Sequence, residues 1–153
     1  MSALANALPH VRAFCEVDLD RVTEIETTIY THPWTRGNFV DSIKAGYTCR
    51  VMEVAGELIG YGVMKVAVRE AHLLNLSIAT QWQRKGYGRS LLLYFIELAR
   101  RSDALQMLLE VRVSNDAGRS LYESMGFQRV AVRPGYYPAA NGREDAILMG
   151  INL

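Results

Sequence analysis

Apolar residues recur at helical spacing from Asp18 onward, at Leu19, Val22, Ile25 and Ile29, with Glu26 as a single polar interruption. Ahead of them His10–Val17 alternates enough for a first strand, with Val11 and Ala13 on one face. Thr31-His32-Pro33-Trp34 ends the helix, because proline disfavours helical backbone in the residue before it. Thr35 is the expected N-cap of a second helix with Phe39, Val40 and Ile43 inward, closed by Gly46. Tyr47–Val54, Leu58–Val68 and Ala71–Ala79 read as three strands, turned at Ala55-Gly56-Glu57 and at Arg69-Glu70. A long helix then carries two adjoining stripes, Leu91, Phe95, Leu98 and Leu92, Ile96, Ala99, wide enough to pack on a sheet. Glu97 and Arg101 fall at i,i+4 on its wet side. Leu105–Val113 alternates as a strand, and Ser114-Asn115-Asp116 opens a short helix with Leu121 and Met125 inward and Gly126 closing it. Phe127–Val132 is a strand, Arg133–Pro138 a loop or broken strand, Asn141-Gly142 a hairpin signal, and Asp145–Leu153 the closing strand. The order βααβββαβαββ predicts a mixed α/β (α+β) fold, a mixed sheet of about seven strands with helices on both faces.

One stretch carries candidate chemistry. Leu73–Arg101 runs from a buried strand through Thr-Gln-Trp-Gln-Arg-Lys-Gly-Tyr-Gly-Arg into the long helix. Gly86 and Gly88 let the backbone turn tightly and approach a ligand. The helix start leaves N–H groups without intrahelical partners and adds positive potential. Arg84, Lys85 and Arg89 surround that turn, so it reads as a phosphate cradle. A Walker loop is absent. A dinucleotide fingerprint lacks its third glycine, since Leu91 stands there, although Glu110 lies where a ribose-binding acid could sit. Three consecutive short-turn strands ahead of the loop, in place of βαβ units, also count against a dinucleotide enzyme. Gln83-x-x-Gly86-x-Gly88 is the remaining pattern, and an ordinary glycine turn before a helix is its bland alternative.

Length and charge narrow the picture. A chain of 153 residues is long enough for one sizeable core, expected over residues 10–153 behind a tail at residues 1–9. The net charge of +1 advertises neither nucleic acid nor membrane as a direct partner. Cys15 and Cys49 stand far apart outside any Cys-x-x-Cys spacing, and His10, His32 and His72 share no ligand spacing, so no metal site is expected. The start, Met-Ser-Ala-Leu-Ala-Asn-Ala-Leu-Pro-His, lacks the pattern of a signal peptide, and no apolar run is long enough to span a membrane, so a cytoplasmic protein is expected.

Five segments in order resemble the GNAT N-acetyltransferases, and within them the bacterial ribosomal-protein alanine N-acetyltransferases. They are His-Pro-Trp (32–34), Gln-Arg-x-Gly-x-Gly-Arg (83–89), Leu-Glu-Val-Arg-x-Ser-Asn (109–115), Leu-Tyr-Glu-Ser-x-Gly-Phe (121–127), and Tyr-Tyr-Pro (136–138) followed by Gly-Arg-Glu-Asp-Ala-Ile (142–147). The resemblance spans roughly His10 to Gly150. It implies acetyl-CoA as co-substrate and an acceptor at the N-terminal alanine of small-subunit ribosomal protein S-eighteen. It further implies that Leu76, Ser77 and Ile78 pair their backbone with the pantetheine arm, and that Gln83, Arg84, Lys85, Gly86, Tyr87, Gly88 and Arg89 hold the pyrophosphate. Asn115 would bond the cofactor arm, Glu110 would be the general base and Tyr122 the general acid. Trp34, Tyr136 and Tyr137 would line the acceptor peptide. The chain has Ala79-Thr80 where the family commonly has an acid-Pro pair, which leaves the local loop geometry open.

The chemistry asks for such groups on its own terms. An α-amine with pKa near 7.7–8.0 is largely protonated at pH 7 and needs a base. Glutamate is disfavoured in a strand between Leu109 and Val111, so Glu110 asks for a reason. Tyr122 lies two turns beyond Asn115 on nearly one helix face. Plainer readings stand beside these: Glu110 as an edge-strand or Arg112-paired charge, Tyr122 as a core tyrosine, Tyr136-Tyr137-Pro138 as turn packing. An acetyltransferase acting on lysine or small amines, or a catalytically silent CoA-binding module, would share the same fold.

Overall fold

The computed structural model describes residues 8–153; positions 1–7 of the expected N-terminal tail lie outside them. The elements are β1 (His10–Ala13), α1 (Leu19–Ile29), α2 (Arg36–Lys44), β2 (Thr48–Val54), β3 (Glu57–Ala67), β4 (Glu70–Ile78), α3 (Tyr87–Arg101), β5 (Gln106–Arg112), α4 (Asp116–Ser124), β6 (Gln128–Ala139) and β7 (Gly142–Asn152). Short 3-10 turns occupy Glu16–Asp18 and Thr80–Trp82. The seven strands form one mixed sheet in the order β1-β2-β3-β4-β5-β7-β6, in which β4 and β5 run parallel. Among the described residues no helix is long and apolar enough to cross a membrane. The chain divides into two compact units, one reaching to Met64 and resuming at Asn75–Phe95, the other formed by Lys65–Leu74 and Ile96–Leu153.

In the first unit, α1 and α2 bury Leu19, Val22, Ile25 and Phe39 in a core with Val51, Tyr61 and Val63. Thr35 caps α2, its side chain accepting from Asn38 N–H, as its position predicts. The first strand is shorter than its alternation suggests, ending at Ala13. Asp18 folds the next residues into a turn: its carboxylate accepts from Cys15 N–H at 2.8 Å and from both terminal nitrogens of Arg12 at 2.8 Å. The Arg12 guanidinium holds the Asp18 carboxyl below the usual carboxylate range, so this turn contributes its full stability above that range and loses it as pH falls below the range through the lowered folded-state pKa. Gly60 and Gly62 on β3 allow close approach: a methyl at Gly62 would sit 2.4 Å from a Phe95 ring carbon, and one at Gly60 2.9 Å from Ser77 O.

In the second unit, β3 turns into β4 at Val68 and Arg69, both with positive φ, the two-residue geometry matched to strand twist. The sequence reading sets this turn one residue later, because Val68 carries no turn signal. β5 pairs with β4 on one side and β7 on the other, so it is an interior strand. Leu105 and Val113 are exposed and lie just outside it, and Leu121 and Met125 are half-buried instead of core residues. Glu97 does pair with Arg101, at 3.4 Å. The segment expected as a loop or broken strand continues β6, but its pairing with β7 breaks: Arg133 faces Ala146 and Tyr137 faces Glu144, so Pro134–Tyr136 bulge opposite Asp145. The following hairpin turns at Ala140 and Asn141, one residue earlier than the Asn-Gly signal suggests, with Gly142 taking the positive φ.

Candidate active site

The glycine loop belongs to the first unit. Ala79 N–H bonds Ile59 O at 2.7 Å and holds the end of β4 to β3, so Ala79-Thr80 keeps the strand end in place without an acid-Pro pair. Gln83 folds its side chain back, Nε2 donating to Ile78 O at 2.9 Å. Trp82 donates from Nε1 to Glu57 at 2.9 Å and meets the Tyr87 ring edge-on at 5.9 Å. Between these anchors Arg84 (φ 61) and Gly86 (φ 89) take left-handed backbone, which costs glycine least. Helix α3 begins at Tyr87, so the expected pair of turn glycines is corrected: Gly86 makes the turn, and Gly88 is a residue of the first helical turn. Ser90 N–H is bonded back to Gly86 O at 3.1 Å. The N–H groups of the first helical turn precede it, and a helix start directs such groups outward. Arg84, Lys85 and Arg89 are exposed around them, while Ser77 and Ile78 are buried and Leu76 half-buried at the strand end.

Glu110, Asn115, Tyr122, Tyr136 and Tyr137 belong to the second unit. Glu110 sits in interior strand β5 opposite Leu148, and its side chain keeps 17% exposure. The edge-strand and Arg112-paired readings both fall: Glu110 Oε1 pairs with Arg133 Nε at 3.3 Å, while Arg112 pairs with Glu144 at 3.1 Å. Arg133 is half-exposed and lies over the Tyr136 ring at 5.7 Å. The rings of Tyr136 and Tyr137 meet edge-on at 4.9 Å, and Arg112 covers Tyr137 at 4.5 Å. Burial pushes the Tyr137 hydroxyl up to about 12, and the Glu110 charge adds to that shift.

Two charged residues of β7, Arg143 and Asp145, build this bulge, a role that sequence reasoning did not assign. Arg143 donates to Gly135 O at 2.8 Å and to Tyr136 O at 3.0 Å, and Asp145 accepts from Gly135 N–H at 2.8 Å. Glu144 accepts from Ser114 N–H at 2.8 Å, and the Ser114 hydroxyl, this N–H and Arg112 together hold its pKa below the usual range. The signal was present as Glu144-Asp145, two acidic residues unfavoured in the strand that contains them.

Asn115 caps α4, its Oδ1 accepting from Gly118 N–H at 2.9 Å, which leaves its amide nitrogen as the group to offer a ligand. A Cβ at Gly118 would fall 2.6 Å from that nitrogen, so glycine gives the cap its room. Tyr122 is half-buried and meets Phe127 edge-on at 5.7 Å. Trp34 belongs to the first unit, its ring 5.2 Å from Phe39 and its N–H donated to Glu26 Oε2 at 2.9 Å. Among the described residues no group of three His, Cys, Asp or Glu could hold a metal ion.

The model of the GNAT acetyltransferase family matches residues 19–127. This chain belongs to that family. The ribosomal protein bS18-alanine N-acetyltransferase of Escherichia coli is 34% identical over 136 residues, covering 89% of this chain and 92% of its own. The enzyme of that name from Haemophilus ducreyi is 31% identical over 144 residues, 94% and 99% of the two chains. The crystal structure of the ribosomal-protein alanine N-acetyltransferase of Escherichia coli superposes with a TM-score of 0.88 at 32% identity, covering 95% and 94%. That of Ard1 from Thermoplasma volcanium gives 0.87 at 28%, covering 95% and 97%. The chain is an acetyl-CoA-dependent N-acetyltransferase with the expected mixed seven-stranded fold.

The glycine loop suits that co-substrate. A Cβ placed on Gly86 would meet nothing within 4 Å, so the backbone there faces open space beside three cationic side chains. Gly86→Val should therefore fold with little packing loss yet weaken acetyl-CoA binding at least tenfold. The branched side chain would both strain φ and occupy the approach to the N–H groups. Calorimetric titration beside a melting curve measures this, and unchanged affinity in the folded variant would remove the loop from cofactor binding.

Proposed function

We propose that this enzyme acetylates the N-terminal α-amine of alanine on small-subunit ribosomal protein S-eighteen. The relatives covering about nine-tenths of the chain carry that activity in their names, and the Tyr136–Ile147 segment resembles that subfamily. The observation that carries the mechanism is Glu110, a carboxylate of low exposure on an interior strand that already holds a cationic nitrogen, that of Arg133. An acceptor ammonium is a cation of the same kind. It would take the place of the half-exposed Arg133 side chain, and Glu110 would then remove its proton, directly or through one water.

Acetyl-CoA supplies an activated thioester carbonyl. Arg84, Lys85, Arg89 and the N–H groups from Gly86 to Arg89 would hold its pyrophosphate, with Gln83 shaping the loop through Ile78 O. The backbone of Leu76, Ser77 and Ile78 and the Asn115 amide would hold its arm. Tyr122 would donate its hydroxyl proton to the departing sulfur. Trp34, Tyr136 and Tyr137 would line the acceptor. The amine attacks directly, with no acetylated cysteine: Cys49 is buried and its thiol is pushed up by desolvation, and Cys15 lies in the turn before α1. Residues 10–153 would act as one catalytic domain, in the cytoplasm where ribosomal proteins are made.

A peptide beginning with free alanine should release CoA rapidly. The same peptide with a blocked N-terminus and an internal lysine should release it at least a hundredfold more slowly. Comparable rates would make the enzyme a lysine or small-amine acetyltransferase, and no release with either would favour a silent CoA-binding module.

A further inference from the structure

Helix α1 places one carboxylate among its apolar residues. Glu26 is 2% exposed, between Val22, Ile25 and Ile29 in the helical pattern, and three neutral donors converge on it. Tyr61 OH donates to Oε1 at 2.7 Å and Asn75 Nδ2 to the same oxygen at 3.1 Å. Trp34 N–H donates to Oε2 at 2.9 Å. The bonds continue outward: Ser77 Oγ donates to Asn75 Oδ1 at 2.7 Å, and Tyr30 OH lies 2.6 Å from Ser77 Oγ. Since the Ser77 hydroxyl proton is spent on Asn75, Tyr30 must be the donor of that last pair.

All these bonds point one way, towards Glu26. Both Glu26 oxygens accept, so the carboxyl group orients the Asn75 amide with nitrogen inward and oxygen outward, and that oxygen then orients Ser77. A leucine at this position would pack against its apolar neighbours without any such demand. The carboxylate joins three elements instead: the segment after α1 that carries Trp34, strand β3 through Tyr61, and the end of β4 through Asn75 and Ser77.

We infer that Glu26 is a positioning residue for the acceptor: it sets the direction of the hydrogen bonds that hold Trp34 against β3 and the end of β4. This rests on the proposed roles of Trp34 and of Ser77 in the acetyl transfer. The effect falls on the acceptor more than on the cofactor, for a structural reason. The Ala79 N–H to Ile59 O bond holds the end of β4 without help from the Ser77 side chain. Trp34, by contrast, has its backbone tied directly to Glu26 and its ring set against Phe39.

Glu26→Gln tests this by keeping the shape and changing the polarity. Glutamine offers one acceptor oxygen where the carboxylate offers two, so its amide must face either Trp34 N–H or the Tyr61 and Asn75 donors. Acceptor KM for the alanine peptide should rise at least tenfold, with kcat within threefold and acetyl-CoA affinity within twofold of the parent. Tyr30→Phe removes only the outermost bond, and should raise KM in the same direction by less, with the melting temperature nearly unchanged. If Glu26→Gln fails to fold, Tyr61→Phe takes its place, since it removes one donor and leaves the carboxylate; the same rise in KM is expected. Unchanged acceptor KM in folded variants would overturn the inference, as would a fall in kcat, cofactor affinity and melting temperature together. The parent enzyme separates this from the function itself: if it does not turn over the alanine peptide, the acceptor assignment fails, whatever the variants do.

Discussion

Glu110→Gln should lower turnover of an alanine-starting peptide by about 100- to 10,000-fold at pH 7, the usual scale for a general base. Glutamine fills nearly the same volume on β5 and leaves the pairing with Leu148 intact, so melting behaviour should change little. Acetyl-CoA affinity should stay within a few-fold, because the proposed cofactor contacts lie elsewhere. The loss should shrink as pH rises. An α-amine titrates near pH 7.7–8.0, so above that range solvent has already removed the proton that Glu110 would take. The expected profile is a deep deficit at pH 6.5 that narrows towards pH 9.5. A deficit constant across that range would mean that Glu110 orients the acceptor and does not deprotonate it.

Tyr122→Phe should lose turnover on a similar scale, about 100-fold or more, for the opposite reason. Its hydroxyl is asked to supply a proton to the departing thiolate, and alkaline solvent does not replace that. The deficit should therefore persist at every pH where the parent enzyme is active. Phenylalanine retains the edge-on contact with Phe127 and the backbone bond from Phe127 N–H to Tyr122 O at 3.0 Å, so α4 should remain folded. Acetyl-CoA affinity measured alongside separates a lost acid from a lost binding contact. Near-normal turnover would return Tyr122 to a packing role and assign the proton to another donor.

The long regular elements were legible because their causes are local. Helix α3 buries Leu91, Leu92, Phe95, Ile96 and Ala99 of the stripes that its spacing marks and leaves Leu98 half-buried, and β5 is a strand where alternation places one. What escaped the sequence depends on partners far along the chain. The early end of β1 is set by Arg12 reaching Asp18, and the β6 bulge by Arg143 and Asp145 gripping Gly135. The turn at Val68-Arg69 reads one residue late because neither residue is a turn former. Of the site, Gly86 and the cations beside it were readable from composition and spacing. Roles for Glu110, Asn115 and Tyr122 came from family resemblance, since a lone glutamate in a strand or a tyrosine on a short helix has many explanations. Glu26 looked like a blemish on an apolar stripe because Tyr61 and Asn75 lie 35 and 49 residues away. Arg133 gave no hint that it would close on Glu110.

The most direct measurement uses one peptide that presents both acceptors, a free N-terminal alanine and an internal lysine. After limited incubation with enzyme and acetyl-CoA, fragmentation mass spectrometry locates the acetyl group. The acetyl group should reside on the alanine nitrogen, with the lysine unmodified until the N-terminus is consumed. Acetyl found on the lysine while the N-terminal amine remains free would contradict the proposed acceptor.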